Sequence, residues 1–293
     1  MQFAAIAWPM LVALLRLMAR LPLPVLHGLG RAVGRLIYAF PGRYRRRLQS
    51  HCRQAGYDSP AFFRQAAAET GAMIMETPRV WLYPQACLDR CTIDNLPLVQ
   101  ETLAEGRGIL YLTPHLGCFE MIARYFSGVD PMTVMFRPPR QAFLEPLMVE
   151  SRELPGLHAV PANIKGVREL VRAFRRGESV GMLPDQVPSG GDGVWAPFFG
   201  RPALTMTLAG KLARQSNVPI IVTATERLPK GRGFHIHTLR LPEPLPEDPT
   251  ELATLINASM EIMIRRFPTQ YLWAYNRYKI PHDAPPLPGD ATP

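Results

Sequence analysis

The chain has 293 residues, 47% hydrophobic and 19% charged. That is enough apolar substance for a sizeable core and too much for a disordered protein. Lys and Arg exceed Asp and Glu by 33 to 24, a formal net charge of +9, which favours a polyanionic partner: nucleic acid, an acidic membrane, a phosphorylated lipid or an acidic carrier protein. Cys52, Cys87, Cys91 and Cys118 show neither CxxC spacing nor secreted-scaffold density, so reduced thiols facing a cytosol are expected.

The opening stretch MQFAAIAWPMLVALL is almost wholly apolar up to Arg16, and at roughly 15 residues it is short of the ~20 needed to span a bilayer. No Lys or Arg precedes it and no clean small-x-small cleavage site follows, which argues against a secretory signal. Arg16, Arg20, Arg31, Arg35, Arg43, Arg45, Arg46 and Arg47 then accumulate among aliphatic residues. Such a segment suits an anionic membrane surface, on it or dipping into it, with the arginines cytoplasmic. A buried helix beside a solvated basic one is the alternative. Residues 1–90 read as helical, as in FFRQAAAETGAMIMETPRVW, with apolar residues at helical spacing and no β-branched run.

From about residue 107 the texture changes. GILYLTPH, MTVMF, LHAVPA, SVGMLPD, VPIIVTATER and GFHIHTLR read as strands. Between them CFEMIARYF, FLEPLMVESREL, IKGVRELVRAFRRG and LTMTLAGKLARQS read as helices, and LATLINASMEIMIRRF adds another. This alternation predicts an α/β fold with a central, mostly parallel sheet flanked by helices. The division is 1–90 helical with the membrane-associating segment, 91–280 α/β, and 281–293 a disordered Pro-rich tail.

In TPHLGCFEM, His115 falls where a strand ends and a helix begins, with Glu120 five residues on. Positions five apart on one helix lie about 140° apart. The two can pair only if His115 sits in the turn, which Pro114 and Gly117 favour, and Glu120 in the first helical turns. A histidine held by a carboxylate can take a proton from a hydroxyl as that hydroxyl attacks a carbonyl. No nucleophile-elbow serine or cysteine is visible, so transfer without a covalent enzyme intermediate is the natural version. The alternative is a satisfied, buried histidine with a glutamate nearby.

Arg137, after the strand of VMFRPPR, is placed to hold a phosphate or polarise a carbonyl. The stretch MLPDQVPSGGDGVWAPFFGRPALT reads as a long loop, with Asp185 and Gln186 lining a pocket and Trp195, Phe198 and Phe199 as its apolar walls. QYLWAYNRYK offers aromatics with Arg277 and Lys279 to a polar headgroup at an interface. No metal site is expected: there is no HExxH, and His235 and His237 lack a third ligand. GLGRAVG follows no strand and has the wrong spacing for a dinucleotide loop. No nucleic-acid recognition pattern is present, and the arginines cluster beside an apolar anchor.

Taken together, HLGCFE, MFRPPR, LPDQ at 183–186, APFFG at 196–200 followed by Thr205, VPIIV and QYLWAYNRYK make the chain resemble the lipid A biosynthesis acyltransferases, the late lauroyl/myristoyl transferases of Gram-negative bacteria, over roughly residues 1 to 280. The resemblance implies a glycerolipid acyltransferase-like fold and acyl transfer from acyl-acyl carrier protein to a lipid hydroxyl at the cytoplasmic face of the inner membrane, without metal or other cofactor. It implies His115 as general base, Glu120 as its partner and Arg137 near the reacting group. Cys118 stands where a small polar residue such as Asn is common in the family, and Asp185-Gln186-Val187 differs from the enterobacterial Asp-His-Asp form. Carrier proteins are acidic and lipid A precursors phosphorylated, so both suit a basic enzyme; YRRR at 44–47 and RAFRR at 172–176 are candidate docking patches, with a solvated face as the alternative for each. The competing readings are transfer to an ornithine lipid, glycolipid or polyene lipid, and a non-catalytic protein that binds acidic lipids.

Overall fold

The computed structural model describes residues 12–136, 154–188 and 193–287. Arg137, most of FLEPLMVESREL, the first eleven residues of the apolar N-terminus and the last six of the tail lie outside the described residues.

Helices dominate the first ninety residues: 12–20, Leu23–Ala39, Arg43–Gln54, Pro60–Leu82 and Pro84–Leu88. Leu23–Ala39 buries Leu23, Leu26, His27, Gly30, Gly34 and Tyr38, a single stripe at helical spacing. The GLGRAVG glycines serve contact between helices. A Cβ on Gly30 would meet the Gly71 carbonyl oxygen at 2.5 Å and one on Gly34 the Ala67 oxygen at 2.2 Å, so only glycine lets this helix lie against Pro60–Leu82. The opposite face of Leu23–Ala39 is also apolar: Val25, Leu29, Val33, Leu36 and Ile37 are exposed, and Phe40 just beyond is 66% exposed. Among the described residues, no helix is long and apolar enough to cross a membrane.

The α/β part is built on a seven-stranded sheet in the order β1-β9-β8-β2-β5-β3-β4. The strands are β1 Cys91–Ile93, β2 Leu110–Leu112, β3 Met132–Phe136, β4 Leu157–Pro161, β5 Ser179–Met182, β8 Ile220–Arg227 and β9 Phe234–Arg240. Every pairing is parallel except β8 with β9. The central strands are apolar on both faces, as a covered parallel sheet requires. Leu110, Leu112, Val180, Met182, Ile220 and Val222 belong to one core with the helices Ile164–Arg175, Leu208–Ser216 and Pro249–Arg266. Ile109, Tyr111, Met132 and Ile221 point the other way, to a second core with Ile122 and Phe126 of helix Glu120–Phe126.

Three stretches depart from the sequence reading. Residues 193–206 form a hairpin, β6 Gly193–Phe198 and β7 Arg201–Met206, where a loop and the start of a helix were expected. The helix begins only at Leu208. Phe199 and Gly200, with φ of +47° and +74°, make the two-residue turn that matches strand twist. The residues before 107 hold β1 and helix Leu96–Leu103, too short to stand out as periodic pattern. The Pro-rich composition reads as a disordered tail, yet Ala284 and Leu287 pack beside Trp195, whose Nε1 donates to the Pro285 carbonyl at 2.9 Å.

Candidate active site

β2 and β5 are parallel neighbours with Leu112 opposite Met182. Each strand is followed by one residue, a proline and then a titratable side chain: Thr113-Pro114-His115 and Leu183-Pro184-Asp185. Equal offsets beyond paired strand ends bring His115 and Asp185 together at the carboxyl edge of the sheet, where open α/β sheets hold their ligands. The Asp185 Oδ1 lies 2.7 Å from His115 Nδ1, and Oδ2 accepts the His115 backbone N–H at 2.9 Å. Burial alone would push the Asp185 carboxyl up. The His115 ring, its two N–H bonds and the Arg277 guanidinium outweigh that and hold it below its ordinary value.

Asp185 is acceptor-only, so His115 carries its proton on Nδ1, and Nε2 is left with a lone pair. The Gln186 amide nitrogen, 3.1 Å from Nε2, donates to it. The Phe119 ring packs against the imidazole, with centroids 4.9 Å apart. The turn itself is clamped: Leu272 N–H donates to the His115 carbonyl at 3.1 Å, Gly117 N–H to the Gln270 carbonyl at 3.1 Å and Cys118 N–H to the Thr225 carbonyl at 2.9 Å.

Beneath the turn lies a buried ionic cluster. Arg227 donates to the Gly117 carbonyl at 3.2 Å, to Glu69 at 3.1 Å and through two nitrogens to Glu76. His27 contacts Glu76 at 2.7 Å and Arg31 contacts Glu69 at 2.7 Å. The helices Leu23–Ala39 and Pro60–Leu82 are thus tied to the site through charge.

His115 lines a cavity of about 710 Å³, within the usual range for small-molecule sites. Tyr111, Met132, Val134, Phe136, Leu157 and Gly181 give it a largely apolar interior, while Glu120, Arg124, Asn163, Gln186 and Lys211 are among its polar members.

Several sequence assignments change. Glu120 lines the same cavity as His115, but Nδ1 of the histidine belongs to Asp185, and Glu120 binds Arg124 at 3.0 Å. Helix Glu120–Phe126 points the carboxylate along itself to the residue four on, the ordinary partner distance on a helix. The carboxylate that holds the ring in this structure is therefore Asp185. Gln186 does line the cavity. Trp195, Phe198 and Phe199 do not wall it: Phe198 and Phe199 sit in the main core with Tyr271 and Trp273, and Trp195 packs with Val187 and Leu204, because the hairpin turns their side chains inward. Arg277 is buried rather than presented to a headgroup: it donates to the Leu204 carbonyl at 2.6 Å and Thr205 Oγ1 at 2.8 Å. The sequence signal for the His115–Asp185 pair was the repeated x-Pro-titratable ending of two apolar strands. His235 bonds Thr92 at 2.7 Å and His237 bonds Glu226 at 3.0 Å. Among the described residues no group of three His, Cys, Asp or Glu is arranged to hold a metal.

A histidine held by a carboxylate thus stands on the wall of a mainly apolar cavity at the carboxyl edge of a mostly parallel sheet, an arrangement able to take a proton from a bound hydroxyl. Comparison with known proteins sharpens this. Residues 3–280 match the family described as bacterial lipid A biosynthesis acyltransferase, and the chain belongs to that family. It is 27% identical to the lipid A biosynthesis lauroyltransferase of Escherichia coli over 280 residues, covering 92% of this chain and 90% of that one. It is 24% identical to the E. coli lipid A biosynthesis palmitoleoyltransferase over 275 residues, 92% and 89% of the two chains. A lipid A biosynthesis acyltransferase of Haemophilus influenzae is 24% identical over 283 residues, 92% and 88%. The chain is an acyltransferase.

Proposed function

We propose that the protein transfers a fatty acyl chain from acyl-acyl carrier protein to a hydroxyl of a lipid A precursor, at the cytoplasmic face of a bacterial inner membrane. The observation that carries the reading is the His115–Asp185 pair on the wall of a mainly apolar cavity, in a chain of this family. The acyl chain lies in the cavity. The acceptor hydroxyl replaces the Gln186 amide at Nε2, now as the donor. Nε2 takes the hydroxyl proton while the oxygen attacks the thioester carbonyl carbon. The tetrahedral intermediate collapses by breaking the C–S bond, and the imidazolium returns the proton to the leaving thiolate. Asp185 stabilises the imidazolium while it exists. General-base help of this kind is worth on the order of 10²- to 10⁴-fold.

The apolar outward stripe of helix Leu23–Ala39, bordered by exposed Arg35, Arg43 and Arg46, supports a seat in the interface of an anionic membrane.

The test uses purified protein in detergent. Carrier protein bearing decanoyl, lauroyl, myristoyl or palmitoyl chains is offered with a Kdo-bearing lipid A precursor, and mass spectrometry looks for a gain of one acyl chain. The gain is expected with at least one donor and is absent in His115→Ala. A gain seen only with an ornithine lipid, glycolipid or polyene lipid moves the acceptor. No gain with any acceptor, beside intact lipid binding, means the protein binds acidic lipids without catalysis.

A further inference from the structure

We propose that the acidic carrier protein docks on the outer face of helix Ile164–Arg175 and the adjoining helix Leu208–Ser216, and feeds its thioester arm into the cavity between the starts of these two helices. The inference rests on the carrier-borne donor proposed above and adds where that donor binds.

Lys165, Arg168, Arg172 and Arg175 are all exposed. At 100° per residue they fall within an arc of about 80° and extend over about 15 Å. The buried residues Gly166, Leu170, Ala173 and Phe174 occupy the opposite side. Arg172 is paired with Glu169 on the same helix. Lys165, Arg168 and Arg175 have no acidic partner among the described residues, and such a row of uncompensated cations attracts an acidic surface.

The row leads to the cavity. Ala162, Asn163 and Val167, at the start of this helix, line the cavity, as do Thr207, Leu208 and Lys211 at the start of the other. Lys211 is exposed and likewise without an acidic partner among the described residues. A thioester presented from this face enters past Lys211 toward His115.

The composition of the face distinguishes a protein partner from a bilayer. Its one large exposed apolar side chain is Ile164, 74% exposed, at the cavity end. A membrane-seated helix carries an apolar stripe, as the outward face of Leu23–Ala39 does. A charged face with a single apolar contact suits a transient protein encounter steered by charge.

The experiment combines Lys165→Glu, Arg168→Glu and Arg175→Glu, none of which lines the cavity. Turnover is measured with lauroyl-carrier protein and with lauroyl-pantetheine, against the same acceptor. At low ionic strength kcat/KM for the carrier donor should fall at least about tenfold, through KM, and the gap should close with added salt. The pantetheine donor should be unaffected. Equal loss with both donors, or no loss with either, overturns the docking face. A raised acceptor KM, or release from anionic vesicles, assigns the cations to lipid and also overturns it. Wild-type protein that uses the pantetheine donor but not the carrier donor overturns the donor reading itself. If the triple variant melts early, Arg168→Glu alone is tested for the same donor-selective, salt-sensitive rise in KM, and its absence counts against the face.

Discussion

His115 Nδ1 and Asp185 Oδ1 are 2.7 Å apart, although 70 residues separate them in the chain. The same carboxylate also holds the His115 main chain. One buried side chain thus fixes the ring's tautomer, its rotamer and the turn that carries it. Because the Asp185 carboxyl is held below its ordinary value of 3.8, its contribution to stability is present above that pH and is lost as pH falls through the lowered value. Thermal melts of wild type and Asp185→Asn should therefore differ at neutral pH and converge in acid. A gap that persists in acid would mean the carboxylate's charge is not what stabilises the site.

Gly117 is expected to tolerate no side chain. Its φ is +58°, and a Cβ there would meet the Thr225 carbonyl oxygen at 1.8 Å. Gly117→Ala should cost about 2–4 kcal/mol of stability, from strain and displacement of β8. Turnover should fall further than the melt alone explains, because the next residues back are Leu116 and His115. Chemical denaturation and single-turnover rates read the two effects separately.

The cluster around Arg227 predicts a second acid transition. Burial alone would raise the Glu76 carboxyl, but the Arg227 charge and bonds, with His27, hold it at about 2 against an ordinary 4.5. Its stabilising effect is complete above 4.5 and disappears as pH falls toward 2. Arg227→Met should destabilise by about 3–5 kcal/mol, since it leaves buried Glu76 without its guanidinium and Glu69 with Arg31 alone. Pairing it with Glu76→Gln should restore part of that loss. A neutral Arg227→Met would show the cluster to be dispensable.

Much of the fold was legible and part of the site was not. MTVMF, VPIIVTATER and GFHIHTLR are β-branched apolar runs bounded by turn residues, and all three are strands. The hairpin at 193–206 was hidden because Pro197 and Pro202, directly opposite each other, and the glycines at its ends look like loop. His115 was visible because its motif is local. Its partner was not, because the nearest carboxylate in sequence, Glu120, is closer along the chain than Asp185, and only the register of β2 with β5 decides between them. Arg277 was misplaced for a similar reason: an arginine among aromatics reads as an interface, whereas here a carbonyl, a hydroxyl and the Phe198 ring, 5.1 Å away, enclose it.

The outward face of helix Leu23–Ala39 makes a separate prediction. Replacing Leu29 and Leu36, both exposed, by Asp should leave the fold unchanged and weaken binding to anionic vesicles by at least about tenfold, since each removes about 1.5–3 kcal/mol of apolar burial in lipid. Sedimentation with liposomes measures this directly. Unchanged binding would show that this face is not a membrane contact.

The central claim is that Asp185, not Glu120, makes His115 a base. The measurement that tests it most directly is acyl transfer to the lipid A precursor by Asp185→Asn and Glu120→Gln, each checked by circular dichroism to be folded at the assay temperature. Asp185→Asn should lower kcat by about 10²- to 10⁴-fold with little change in KM. Near-wild-type turnover in Asp185→Asn, beside abolished turnover in Glu120→Gln, would contradict the account and return the orienting role to Glu120.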